Sequence, residues 1–268
     1  MMIPEIISFS FGNLTKNKIM NKDFEKEYFE LDSQNQHWWL VVRRKIVEDL
    51  LGRFAPHKDD LKILDFGCSS GEFVRYIQKL NYNVFGCDVS KEAIEKGQQK
   101  GILNLSVVRD NHLDYSSESF DVVLALDVIE HLEEEGPAVK EIFRVLKKGG
   151  LFVVFVPAYQ FLWGIEDETS HHYRRYSSRS LLGAIQNSAD FTVVKKSYFN
   201  TFLFLPIAFV KILGRIIKTG NRKSDLELNN SLLNYLFFNI FNFERKLLKR
   251  LSFPFGASLL LVLRKGSL

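Results

Sequence analysis

Residues 63–73 read ILDFGCSSGEF. A short apolar run, Ile63 to Phe66, carries Asp65 near its end and breaks at Gly67; Gly71 follows four residues later, and GEFVRYIQKL then continues with helical spacing. An apolar strand, a tight glycine turn and a helix make the first half of a βαβ unit. The pattern continues outward through NVFGCD (83–88), SKEAIEKGQQ (90–99) and NLSVVRD (104–110). Two more apolar runs, FDVVLAL (120–126) and GLFVVFVP (150–157), flank GPAVKEIFRVLKKGG (136–150), a helical pattern closed by a glycine pair in C-cap position. Their dense Val, Leu and Phe content suits parallel strands buried on both faces. FTVVKKSYF (191–199) and GASLLLVLRK (256–265) read as two further strands, separated by helical patterns over 200–220 and 228–251. Ahead of the sheet, residues 23–53 read as helix carrying His37, Trp38, Trp39, Arg43 and Arg44.

Composition agrees with a globular chain: 268 residues, 46% hydrophobic and 25% charged. Two cysteines, Cys68 and Cys87, exclude a disulfide framework, no zinc-type Cys/His spacing appears, and no metal site is expected. The net charge of +4 is too mild to imply nucleic acid. From Phe191 onward, however, thirteen basic residues face three acidic ones, a net +10 that leaves −6 for the rest. Residues 1–19 lack the basic and apolar regions of a secretory signal and read as a poorly ordered extension ending at Met20. A reducing, cytoplasmic setting is expected.

The turn at Gly67–Gly71 lets backbone approach a ligand closely, and Asp88 ends the next strand where a carboxylate would take both hydroxyls of a ribose. A dinucleotide site is disfavoured, because its G-x-G-x-x-G spacing is missing. These segments resemble the class I S-adenosylmethionine-dependent methyltransferases: ILDFGCSSG their first motif, FGCDVS the acidic second, and VVRDNHLDYSSESFDVVLALDVIEHL the third and fourth. The HWW-x3-R stretch from His37 to Arg43 and the HYRRY stretch from His172 to Tyr176 resemble a subgroup of bacterial and archaeal members. The resemblance implies a Rossmann-like α/β domain over 21–268 with a seven-stranded sheet, the last strand antiparallel, a helical cap over 21–58 and a helical insertion over 200–252. It implies that Asp65, Gly67, Cys68, Ser69 and Gly71 cradle the methionine part of the cofactor, that Asp88 and Val89 hold its ribose, and that Asp110 and Asn111 flank its adenine. Leu126, Asp127, Val128 and His131 would stand beside the sulfonium. Ser69 departs from the glycine many members carry.

The loop after the fifth strand concentrates Tyr159, Trp163, Glu166, Asp167, His171, His172, Tyr173, Arg174, Arg175 and Tyr176. His172 and Tyr159 are the candidate catalytic residues, His172 as a base because imidazole titrates near neutrality. Trp163, Arg174, Arg175 and Tyr176 are candidates for an anionic acceptor; the alternative pairs the two arginines with Glu166 and Asp167. His171 reads as a solvent-facing loop residue and His131 as packing under the cofactor. Trp38 and Trp39 form either a lid or core, and Arg43 either meets an anion or is a surface cation. The late helices suit either an interfacial helix on anionic lipid or an extra helical layer or dimer contact. The expected activity is methyl transfer to a small-molecule or lipid-linked, anionic acceptor, releasing S-adenosylhomocysteine. A cofactor-binding regulatory protein without turnover is the alternative.

Overall fold

The computed structural model describes residues 37–55, 61–109, 112–217 and 231–266. The expected extension over 1–20 and the first part of the cap lie outside them. Helix α1 (Trp38–Phe54) precedes strand β1 (Lys62–Phe66), helix α2 (Glu72–Gln78), β2 (Asn83–Asp88), α3 (Lys91–Gln99), β3 (Leu105–Val107) and β4 (Phe120–Leu126). Helix α4 (Glu135–Val145), β5 (Leu146–Pro157), the short α5 (Ile165–Thr169), α6 (Ser178–Gln186) and β6 (Phe191–Phe199) follow, then α7 (Phe204–Ile217), α8 (Ser231–Leu248) and β7 (Ser258–Lys265). The seven strands form one sheet in the order β3-β2-β1-β4-β5-β7-β6. All pairings from β3 to β5 are parallel, while β7 runs antiparallel to both β5 and β6.

Alternation along each strand sends side chains to both faces, and helices cover each. Leu64, Phe66, Val123, Phe152 and Val154 pack against Ala138, Val139 and Ile142 of α4 and Leu181 and Ile185 of α6. Ile63, Val122, Leu124 and Val153 pack against Val42, Ile46 and Val47 of α1, Ile77 of α2 and Ile94 of α3. Local capping agrees with these boundaries: the Ser90 hydroxyl accepts from the Ala93 amide at the start of α3 (3.1 Å), and Ser177 and Ser180 exchange bonds at the start of α6.

The glycine pair at 149–150 does not cap α4. The helix ends at Val145 and β5 begins at once, Leu146 pairing with Phe120; the chain then bulges, with Gly149 at φ 73°, before Leu151 resumes the ladder opposite Val122.

The late helices do not stand apart from the cap. Trp39 of α1, Phe199 of β6 and Phe241 of α8 lie mutually parallel, with ring centroids 5.4–6.2 Å apart. The Trp38 amide donates to the Asn234 side chain (2.8 Å), and Asp49 receives both Arg245 (2.8 Å) and Lys249 (2.7 Å). Two cations of the second late helix are thus spent on fixing α8 to α1, and the tryptophan pair is packed into this layer. Asp49→Asn is expected to lower stability by about 1 kcal/mol, the scale of a partly buried ion-pair cluster, visible as a drop of about 2–4 °C in a thermal melt.

Candidate active site

The carboxyl ends of β1, β2, β4 and β5 meet at one edge of the sheet. After β1 the chain makes a turn in which Gly67, Ser69 and Gly71 all have left-handed backbone, at φ 80°, 51° and 79°. The Gly67 and Cys68 amides donate to the Cys87 carbonyl at the end of β2 (2.8 and 3.0 Å), which seats the turn on the sheet. A side chain at Gly67 would place its Cβ 2.5 Å from Val128, so glycine is required there on backbone and packing grounds together. Ser69 holds the conformation glycine would take more cheaply.

Asp88, only 3% exposed, faces this turn. Its Oδ2 accepts from the Ser69 amide and its Oδ1 from the Ser90 amide, each at 2.8 Å. Burial raises its pKa to about 6 against these backbone bonds, which act to lower it. Asp65 is equally buried below the turn. Burial and the neighbouring carboxylates, Asp88 above all, push the Cys68 and Cys87 thiols well up, so neither is a nucleophile at neutral pH. Asp110 and Asn111 lie outside the described residues.

At the end of β4, Asp127 also adopts left-handed backbone (φ 57°) and its amide donates to the Phe155 carbonyl (3.0 Å). Arg43 reaches across from α1 to its carboxylate (3.2 Å) and to the Leu126 carbonyl (3.0 Å), so this arginine ties the cap to the site and is not a surface cation. One turn on, a 3-10 turn, Ile129–His131, presents Glu130 and His131. Burial, with His172 next, pushes His131 down to about 3, which keeps it neutral.

The loop after β5 folds back over that turn. The Tyr173 amide donates to the Glu130 carbonyl (2.8 Å), and the His131 and His172 rings meet edge to face at 4.5 Å. Asp167 organises the loop: its Oδ1 meets His172 Nδ1 (2.8 Å) and Arg175 Nε (2.7 Å), and its Oδ2 accepts from the Gly164 amide (2.7 Å). Burial alone would raise Asp167, but the His172 hydrogen bond and the Arg175 charge hold it well below the usual carboxylate range.

Several expectations for this loop need correction. Arg175 is 8% exposed and paired with Asp167, and Arg174 binds Glu135 and the Glu133 carbonyl (both 2.6 Å), so the pair is intramolecular, not a free anion clamp. Glu166, the other expected partner, instead takes Lys211 of α7 (2.8 Å). Tyr176 is buried, its hydroxyl donating to Glu135 (2.7 Å), and belongs to the core. Tyr159 stacks on Tyr198 (5.0 Å), and burial with that neighbour raises its hydroxyl far above neutrality, which removes it as a base. His171 is half-buried with a left-handed backbone, and Trp163 is half-buried at the loop's rim. Of the catalytic candidates, His172 stands at the edge with its second ring nitrogen directed away from the Asp167 bond.

The family model described as a methyltransferase domain matches residues 64–154, from β1 through β5, the span that carries the glycine turn, Asp88 and Asp127. Residues 64–154 carry a methyltransferase domain. It is 35% identical over 131 residues to a sterol 24-C-methyltransferase of Aspergillus fumigatus, covering 46% of this chain and 34% of that protein. With a ubiquinone biosynthesis O-methyltransferase of Pelagibacter ubique it shares 26% over 157 residues, 50% of this chain and 65% of that one. The chain thus spans about a third of the first relative and just under two thirds of the second. A solved S-adenosylmethionine-dependent methyltransferase from Mesorhizobium loti shares the fold at a TM-score of 0.52 and 15% identity, over 81% of this chain and 96% of that one.

S-adenosylmethionine is the donor such a methyltransferase domain uses, and the residues present fit it. Each Asp88 oxygen accepts one backbone amide and keeps a lone pair for a ribose hydroxyl, and the turn beside it brings bare backbone to the same edge. Because only the ionised carboxylate accepts at both oxygens, affinity for S-adenosylhomocysteine is expected to rise between about pH 5 and about pH 7. The midpoint should fall at about 6, and calorimetry across that range checks it.

Sequence reading missed two residues that shape the edge. Glu130 lies inside the quoted DVIEHL stretch, but only the fold reveals its complete burial. Gly97, on α3, would place a Cβ 2.3 Å from the Ser70 carbonyl, so its lack of a side chain lets the helix support the turn.

Proposed function

We propose that this chain transfers the methyl group of S-adenosylmethionine to a small-molecule acceptor with an apolar body, releasing S-adenosylhomocysteine. The observation that carries the reading is the glycine turn set against the buried Asp88 carboxylate at the carboxyl edge of a methyltransferase domain. Asp65, Gly67, Cys68, Ser69 and Gly71 would hold the amino-acid part of the donor, Asp88 and Val89 the ribose, Asp110 and Asn111 the adenine, and Leu126, Asp127, Val128 and His131 the region of the sulfonium. The bound sulfonium supplies an activated methyl group, so the chain's own task is alignment of the acceptor and exclusion of water. The Asp167–His172 pair stands where a hydroxyl acceptor would give up its proton.

The apolar acceptor is supported by α7, next to the loop, where Leu205, Phe209 and Ile212 form an exposed stripe at helical spacing. The relatives named for sterol and ubiquinone work support it in kind. The paired arginines remove the argument for an anionic head. No described helix is long and apolar enough to cross a membrane; a stripe of this kind suits contact with a membrane surface, where such an acceptor dissolves. Phe209→Glu is expected to reduce flotation with phosphatidylglycerol vesicles several-fold, and unchanged flotation would reassign the stripe to a protein contact. Lys218, Arg222 and Lys223, three cations of the basic stretch that follows Phe191, lie outside the described residues.

The function is tested by incubating the full chain with methyl-labelled S-adenosylmethionine and a cellular lipid extract. Label should enter the organic phase and be lost with Asp88→Ala. Cofactor binding without label in any fraction would favour the binding protein without turnover.

A further inference from the structure

Glu130 is the most unusual side chain at the edge. It is fully buried, and neither carboxylate oxygen receives a hydrogen bond from any other residue. The other carboxylates around it are matched: Asp127 with Arg43, and Asp167 with Arg175. Arg43 acts on Glu130 through space but is committed to Asp127 and the Leu126 carbonyl. A buried carboxylate with no hydrogen-bond donor and only a shared counter-charge calls for a proton or a cation.

Two imidazoles complete its surroundings. A ligand atom from each of Glu130, His131 and His172 lies within 4.8 Å of the others. Around a divalent ion held at about 2.1 Å, ligand atoms stand about 3–4 Å apart, so side-chain adjustments of under about 1 Å would close the set. Both rings are also oriented from behind. His172 Nδ1 meets the Asp167 carboxylate, which leaves the other nitrogen of that ring for an ion, and the Ser170 backbone stands against the His131 ring. A carboxylate or carbonyl behind each ligating histidine is the arrangement that fixes ring and tautomer in metal sites.

We infer that Glu130, His131 and His172 form a binding site for one divalent first-row transition-metal ion, such as Zn²⁺ or Mn²⁺. Two nitrogens and one carboxylate are a donor set such ions take, and three protein ligands leave positions open at the edge where the acceptor enters. The site's role rests on the function proposed above: the ion would bind the acceptor's oxygen and ease loss of its proton to solvent. His172 is then a ligand, not a free base.

The test uses the tag-free full chain, stripped with chelator and titrated with Co²⁺ followed by visible absorption, with Zn²⁺ as competitor. One equivalent should bind with ligand-field bands, and Zn²⁺ should displace it. Glu130→Gln and His172→Asn should each weaken binding by about tenfold or more, whereas His112→Asn should leave it unchanged. A wild type that takes up no Co²⁺, or takes it up equally well in both ligand variants, overturns the inference and leaves Glu130 as a protonated buried acid; the wild-type titration holds even if a variant fails to fold. S-adenosylhomocysteine binding is measured on the same stripped chain. Its retention with no metal uptake would refute the metal site alone, and its absence beside intact metal uptake would refute the methyltransferase reading alone. Full turnover by stripped enzyme would return His172 to the role of base.

Discussion

Asp88→Ala is expected to weaken binding of S-adenosylhomocysteine by about 1.5–3 kcal/mol, roughly ten- to 150-fold, the loss of charge-assisted hydrogen bonds to a diol. The carboxylate also holds the Ser69 and Ser90 amides, each at 2.8 Å, so its removal frees one flank of the turn as well. Asp88→Asn separates the two contributions. It keeps the shape and one oxygen acceptor, so its loss should be smaller, and its affinity should no longer change with pH around 6, where the native carboxyl titrates. Calorimetry on folded protein, checked by circular dichroism, reads both variants. An Asp88→Ala chain with undiminished affinity would show that the ribose is held elsewhere.

Gly97→Ala should destabilise the chain by about 2–3 kcal/mol, although alanine in an isolated helix is favoured over glycine by about 1 kcal/mol. Packing decides the sign. The new Cβ would lie 2.3 Å from the Ser70 carbonyl oxygen and 2.5 Å from Leu105, and the first of these is backbone that cannot rotate away. Either α3 lifts from the sheet or the residue 67–71 turn shifts, and the second outcome also costs cofactor affinity. Denaturant unfolding with parallel titration of S-adenosylhomocysteine measures both. A more stable Gly97→Ala chain would mean that α3 does not brace the turn.

Much of this was legible along the chain because strands buried on both faces are written as unbroken apolar runs. Ile63 to Phe66, Phe120 to Leu126 and Leu151 to Pro157 mark three strands of the sheet, and the edge followed from where those runs end. Glycine pairs are less explicit. Gly149 and Gly150 carry the signature of a helix cap, but Leu146 already pairs with Phe120, and the sheet claims residues that local propensity would give to the helix. Side-chain partnerships were the least legible. Lys211 and Glu166 are 45 residues apart and Arg174 and Glu135 are 39 apart, so which acid each cation meets depends on how α7 and α4 dock. The aromatic and basic late helices gave the impression of a separate surface, while Phe241, Arg245 and Lys249 were bound for α1. Glu130 passes unmarked within the DVIEHL stretch, because its burial depends on the loop after β5 folding back over that turn.

The edge formed by the residue 67–71 turn and Asp88 is proposed to bind the donor of a methyl group. Calorimetric titration of the wild-type chain with S-adenosylhomocysteine at neutral pH tests it most directly. Saturable binding of one equivalent is expected, and absence of any saturable binding up to about 1 mM, the weak end of ordinary enzyme–ligand affinities, would refute it.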